Sequence, residues 1–304
     1  MVNENNLFKC LVYNGGVSLT LIDGGEFCAE AMRLHGFTGE TAEVFAAALL
    51  GCAFFSAGLK EQSGEVSAVL KTDGIVSSAT VSGNANLRVR GCLDRNASAQ
   101  SNGLFGKSGF MQIVRDDGYS RPFVGACELV YPPYAAEQHG KDSQEETTND
   151  ADGTNDANYA AVFFAANFRQ YFALSEQLPT VFELIVDQKE CKYYAAVLQT
   201  LPGCETDWQE SANARLKECL RSWISGKADA FNSAEATFGE TSCKENRRVT
   251  YACNCSREYL KGVLSSLGKE EIQTILREDG AIKVHCHYCN KDYAFVREDL
   301  QEFL

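Results

Sequence analysis

The sequence predicts an α+β protein in three parts: a sheet-rich N-terminal domain with packed helices (residues 1–203), a helical linker (204–246) and a small C-terminal domain (247–304). Three observations predict it. Short runs alternating apolar and polar residues, punctuated by Gly and Asp, recur between residues 65 and 130 and read as strands. From residue 204 the chain becomes polar and helix-prone, with one apolar stripe. Near the C-terminus four cysteines stand in two close pairs, Cys253-x-Cys255 and Cys286-x-x-Cys289, separated by thirty residues.

The elements follow in order. Residues 7–22 alternate in polarity and predict a first strand or hairpin. Residues 44–59 form the most apolar run, 16 residues interrupted by Gly51, Ser56 and Gly58; this is short for a membrane span and predicts a buried core helix. Val66, Ala68 and Leu70 share one face of a strand that turns at Asp73-Gly74 into another starting at Val76. Leu87 with Val89, then residues 111–114 and 123–130, continue the series. Phe164, Phe168, Tyr171 and Phe172 recur at helical spacing, on a helix that should stop near Leu178-Pro179. Residues 181–186 and 193–198 read as two strands that complete the N-terminal domain near Pro202.

Between Glu137 and Asp156 seven acidic residues face Lys141 alone, so almost nothing there offsets the entropy of ordering; residues 137–158 are expected to be an acidic flexible insert. An EF-hand reading fails there. Placing Gly153 at the loop glycine puts Thr148 and Tyr159 where carboxylates are needed. In the linker, Trp208, Ala212, Leu216, Cys219, Leu220, Trp223 and Ile224 form the stripe, and Gly226 ends the helix. Such a helix is unstable alone, so its stripe must lie on a neighbouring surface. The C-terminal domain should hold helices over 257–267 and 270–279, with Gly280 capping the second. A hairpin of 282–284 with 293–296 then carries Cys286 and Cys289 in its turn.

A chain of 304 residues with 45% hydrophobic content can bury a sizeable core. Its net charge of -13 argues against nucleic acid and against an anionic membrane surface as partners, since binding to either rests on Lys and Arg. The first thirty residues carry four acids against Lys9 and no apolar core segment, wrong for a signal or transit peptide, so a cytoplasmic protein is expected. The thirteen cysteines are odd in number and mostly lack ligand spacing; nine of them read as small apolar residues or reduced thiols.

The other four read as a metal site. Two close pairs bring four soft ligands to one point at little loop-closure cost, the donor set of structural zinc. One zinc per chain is expected on Cys253, Cys255, Cys286 and Cys289. Neighbouring thiolates on one cation are also a short step from disulfides, so the site is a stabiliser or a sensor. His285 and His287 flank Cys286, where a protonated imidazole speeds thiol attack; they read equally as exposed bystanders.

Cys253-Asn254-Cys255-Ser256-Arg257-Glu258, with Glu278-Asp279-Gly280-Ala281-Ile282-Lys283-Val284-His285-Cys286-His287-Tyr288-Cys289 and Tyr293-Ala294-Phe295, resembles the redox-switch domain of the heat shock protein 33 family. Asp73-Gly74, Gly83-Asn84-Ala85-Asn86, Arg90-Gly91 and Ser175-Glu176-Gln177-Leu178-Pro179-Thr180 are similar too, and the resemblance leaves out roughly residues 137–158. It implies a redox-regulated, ATP-independent holdase chaperone rather than an enzyme. Reduced and zinc-bound, the protein would be inactive. Oxidation would form the Cys253-Cys255 and Cys286-Cys289 disulfides, release zinc, unfold the C-terminal domain and free the linker. The implied partners are unfolding client proteins, a second copy in an activated homodimer, and ATP-dependent foldases that receive clients. Two other classes stay open on the residues alone. A thiol oxidoreductase also uses Cys-x-x-Cys, but from a helix N-terminus, and a zinc-ribbon nucleic-acid binder conflicts with the charge.

Overall fold

The computed structural model describes residues 6–132, 159–204 and 208–303; the acidic segment 137–158 lies outside them. β1 (Leu7–Val12) and β2 (Val17–Asp23) form the expected hairpin. α1 (Gly25–His35), which no sequence signal announced, ends at Gly36, whose φ of 66° permits its N–H to reach the Met32 carbonyl. α2 (Glu40–Ala57) is the apolar helix, displaced a few residues from the expected run.

β3 (Glu65–Thr72), β4 (Val76–Asn84), β5 (Arg88–Arg95), β6 (Gly109–Asp116) and β7 (Phe123–Glu128) make an antiparallel sheet in which the connection after β5 crosses over, so that β3 lies between β4 and β6. α3 (Tyr159–Tyr171) runs into a π turn over Phe172–Glu176 and stops before Pro179, as the periodicity required. β8 (Thr180–Asp187) and β9 (Lys192–Thr200) add to the β1–β2 hairpin. α4 (Gln209–Ile224) and α5 (Ala230–Phe238) occupy most of the stretch read as a helical linker.

The end of that stretch differs from the helical expectation. β10 (Ser242–Arg247) is a strand that pairs antiparallel with β1, and just beyond the stretch, at the start of the part read as the C-terminal domain, β11 (Thr250–Tyr251) pairs parallel with β5. The sequence of β10, Ser-Cys-Lys-Glu-Asn-Arg, has no apolar alternation because it is an edge strand held by backbone bonds. The chain therefore adds an edge to each of two sheets, ordered β10-β1-β2-β9-β8 and β11-β5-β4-β3-β6-β7.

The two sheets enclose α2 and α3 in one core that takes Ile22, Phe182 and Val197 from the first sheet and Val66, Val81 and Ile113 from the second. That position explains why α2 is apolar all round: it touches a sheet on each side. Gly51 is needed there, since a Cβ would run into the Phe168 ring. The other face of the first sheet, with Phe8, Val12, Leu19, Leu21 and Leu198, is covered by the stripe of α4 and by α5.

α6 (Arg257–Ser265), α7 (Lys269–Glu278), β12 (Ile282–Cys286) and β13 (Lys291–Phe295) form a C-terminal unit. Its core is small, seven buried apolar residues that include Leu264, Ile272, Phe295 and Leu300.

Candidate metal centre

The route into the site starts in the second sheet. After β11 one further bond, from Ala252 N to Val89 O at 2.9 Å, keeps the chain on β5, and Cys253 and Cys255 follow as it leaves. Ser256 then caps α6, its Oγ accepting from Tyr259 N at 3.1 Å. α6 and α7 fold over the β12–β13 hairpin, so its tip returns beside Cys253. Cys286 ends β12, and Asn290, at φ 55°, closes the turn by donating its N–H to the Cys286 carbonyl at 2.8 Å.

The Sγ atoms of Cys253, Cys255, Cys286 and Cys289 all lie within 4.8 Å of one another; among the described residues no other cluster of metal-capable side chains forms. Cys253 and Cys286 are 3.6 Å apart, and Cys255 and Cys289 3.1 Å. A tetrahedron with zinc–sulfur bonds of about 2.3 Å has edges of about 3.8 Å. Both separations are somewhat shorter than that and all four sulfurs stay within 4.8 Å, so a small spreading of the cluster would admit the ion; four sulfurs suit zinc, and the residues present fit it. Both of these contacts run between the two segments.

The four thiols are not equivalent. Burial works to raise Cys255, but the Tyr293 hydroxyl at 3.2 Å and the neighbouring thiols outweigh it and bring it down to about 7. Burial holds Cys253 above its ordinary value, opposed by the Cys255 N–H that points at its sulfur from 3.4 Å. Burial and the bond to Cys255 push Cys289 well up. The histidines stand outside the cluster: His285 Nδ1 meets Asp292 Oδ1 at 2.8 Å, and the His287 ring sits edge-on to His285. A cleft of about 240 Å³ opens onto Cys253, Cys255 and Cys289, with Arg33 and Lys291 on its rim. Small oxidants can reach these three sulfurs through the cleft, and Cys286, at the strand end, is itself only half-buried.

The chain matches the family model described as Hsp33 protein over residues 5–137 and 141–296. The chain belongs to the Hsp33 family. The matched span runs across most of residues 137–158, which the sequence reading had set apart from the resemblance. Among Hsp33 relatives, the 33 kDa chaperonin of Shewanella woodyi is 27% identical over 304 residues, covering 97% of this chain and 93% of the relative. That of Bacillus cytotoxicus is 26% identical, with 99% of each chain covered. The crystal structure of the 33 kDa chaperonin of Thermotoga maritima, a heat shock protein 33 homologue, superposes with a TM-score of 0.71 at 22% identity. It covers 99% of this chain and 98% of that one, and so shares the fold.

In this Hsp33 chain the metal turn is seated on the N-terminal half by residues that sequence reasoning missed. His35 Nε2, at the end of α1, lies 2.8 Å from Tyr251 Oη and 3.1 Å from the Tyr288 carbonyl. That carbonyl only accepts, so the proton sits on Nε2. Tyr251 Oη reaches the same carbonyl at 2.5 Å, and Asn290 Nδ2 donates to Leu34 O at 3.1 Å. The Arg90 guanidinium lies 4.7 Å above the Tyr288 ring. Arg90-Gly91 stood in a recognised motif, but nothing in the sequence paired it with a turn almost two hundred residues later.

Proposed function

We propose that this member of a chaperone family is a redox-regulated, ATP-independent holdase: inactive when reduced and zinc-bound, activated by oxidation, and protective of unfolding proteins under oxidative stress. The observation that supports it best is the convergence of four thiols at a point where Cys253 lies two residues beyond Tyr251, a residue still paired in the second sheet. Anything that changes the thiols acts on that strand.

Bound zinc would cross-link Cys253, Cys255, Cys286 and Cys289, a contribution of roughly 10–16 kcal/mol in small modules. The seven-residue core of the C-terminal unit is too small to stand without such support. In the proposed oxidation Cys253 pairs with Cys255 and Cys286 with Cys289. Each pair of thiolates gives up two electrons to one peroxide molecule, which takes two protons from solvent and becomes two waters. A disulfide sulfur is a poor ligand, so the chain loses its zinc-binding set and the C-terminal unit unfolds.

β11 and β10 are then no longer anchored from their C-terminal side, and α4 and α5 lose their tether. Their release would expose Phe8, Val12, Leu19, Leu21 and Leu198 together with the α4 stripe, an apolar surface suited to unfolding clients. The active form in this reading is a cytoplasmic homodimer that hands clients to ATP-dependent foldases and catalyses no reaction. A thiol oxidoreductase is less well supported, because Cys286 ends a strand and lacks the helix N-terminus that activates an attacking thiol.

The test is zinc content and suppression of client aggregation on one preparation, before and after peroxide. Zinc should leave and suppression rise together. Zinc loss without suppression would leave a redox-sensitive metal module and refute the chaperone switch.

A further inference from the structure

Nine cysteines lie outside the metal centre, and Cys92 on β5 is the one whose strand face meets it. Alternate residues of a strand share a face. Val89 and Gly91 turn into the core, so Arg90 and Cys92, both half-buried, are on the opposite side. Arg90 on that side covers the ring of Tyr288, which lies between Cys286 and Cys289. Gly91, between Arg90 and Cys92, donates its N–H to Tyr251 Oη at 3.4 Å, and Tyr251 Oη in turn donates to the Tyr288 carbonyl. The parallel register Thr250↔Arg88 and Tyr251↔Val89, extended by the Ala252–Val89 bond, brings Cys253 off the sheet level with Gly91, the residue before Cys92. Cys92 is not one of the four mutually close sulfurs, so it is a neighbour of the centre and not a ligand.

We propose that Cys92 is a redox partner of the centre: under peroxide it captures Cys286 in a disulfide that ties the C-terminal unit to β5. The inference rests on the redox reading above. The Cys286 thiolate attacks one peroxide oxygen, the O–O bond breaks, and a sulfenic acid and hydroxide form. The Cys92 sulfur then attacks Cys286 Sγ, the S–O bond breaks, and the departing hydroxide takes the Cys92 proton. One thiolate, one thiol and one peroxide thus give one disulfide, one water and one hydroxide, which the solvent protonates.

Burial, reinforced by the charges of Asp94 and Cys286, keeps the Cys92 thiol up at about 11, so Cys92 does not meet the oxidant first. It acts as the resolving thiol. Cys289 competes for the same sulfur, and Cys92 succeeds in molecules whose turn is still seated on Arg90 and His35 when Cys286 is oxidised. The product is oxidised yet tethered, which slows release of β11.

The full-length, zinc-loaded protein is treated with hydrogen peroxide, quenched with N-ethylmaleimide, digested without reductant and read by mass spectrometry. A Cys92–Cys286 linked peptide is expected from the native chain and not from Cys92→Ser. The Cys92→Ser chain should keep its zinc and, once oxidised, be cleaved faster between residues 204 and 304. If Cys253–Cys255 and Cys286–Cys289 form while Cys92 stays fully alkylated, this inference fails and the redox reading stands. If none of these cysteines is oxidised, both fail. Equal linkage of Cys286 to the exposed Cys191 or Cys243 would mean random encounter and would also overturn the proposal.

Discussion

Leu216→Ala tests whether α4 is held on the first sheet by its stripe. Leu216 is completely buried, in a cluster that includes Leu19, Leu198 and Trp208. Truncating a buried leucine costs about 2–5 kcal/mol, the upper part where the site cannot collapse, and a β-sheet beneath a helix collapses poorly. A value near 3 kcal/mol changes the ratio of docked to released helix by roughly a hundredfold. The metal centre lies in another unit and should keep its ion. Amide exchange across 209–224, where protection follows the opening equilibrium, should accelerate by about that factor in the reduced protein, while exchange in β3 and β4 stays slow. Trp208, 2% exposed and bonded through Nε1 to Thr200 Oγ1 at 3.2 Å, should shift its emission to the red. Client aggregation should be partly suppressed without oxidant. Unchanged exchange in α4, or a uniform rise over the whole N-terminal half, would refute the claim that α4 is a separately releasable layer.

Other outcomes are expected. Cys286→Ser should lose most of its zinc by metal analysis, while full occupancy would remove Cys286 from the ligand set. Burial holds His35 below its ordinary 6.5, partly offset by its contact with the Tyr288 carbonyl. The seated turn therefore resists protonation that the released turn accepts, so its stability is full above pH 6.5 and falls as the pH drops through that value. Exchange of the Ala252 amide, corrected for its intrinsic pH dependence, should report this in the native chain and lose the dependence in His35→Gln. Deleting residues 138–156 should leave thermal unfolding and client protection nearly unchanged, given their acidic and apolar-poor composition, with a large loss of either being the contrary result.

Much of the fold was legible because burial imposes a period. Val66, Ala68 and Leu70 alternate because β3 has one face on the core, and Phe164, Phe168 and Tyr171 recur because α3 does. The four cysteines were legible for a different reason: a metal needs particular donors, and their spacing survives whatever surrounds them. α1 was missed because its buried residues, Phe27, Cys28, Ala31 and Met32, make too short a stripe, and β10 because an exposed edge strand carries no apolar pattern.

The sequence by itself determined the α+β character, the helix that must be buried and the thiols that can bind one ion. Only the tertiary structure decided that the chain returns after its helices to edge both sheets, and that the metal turn rests on His35, Arg90 and Tyr251. Those contacts are made by backbone groups and by side chains 37 to 253 residues apart, and neither leaves a local period to read. A strand held by its neighbour's carbonyls can have almost any side chains, so its partner has to be seen.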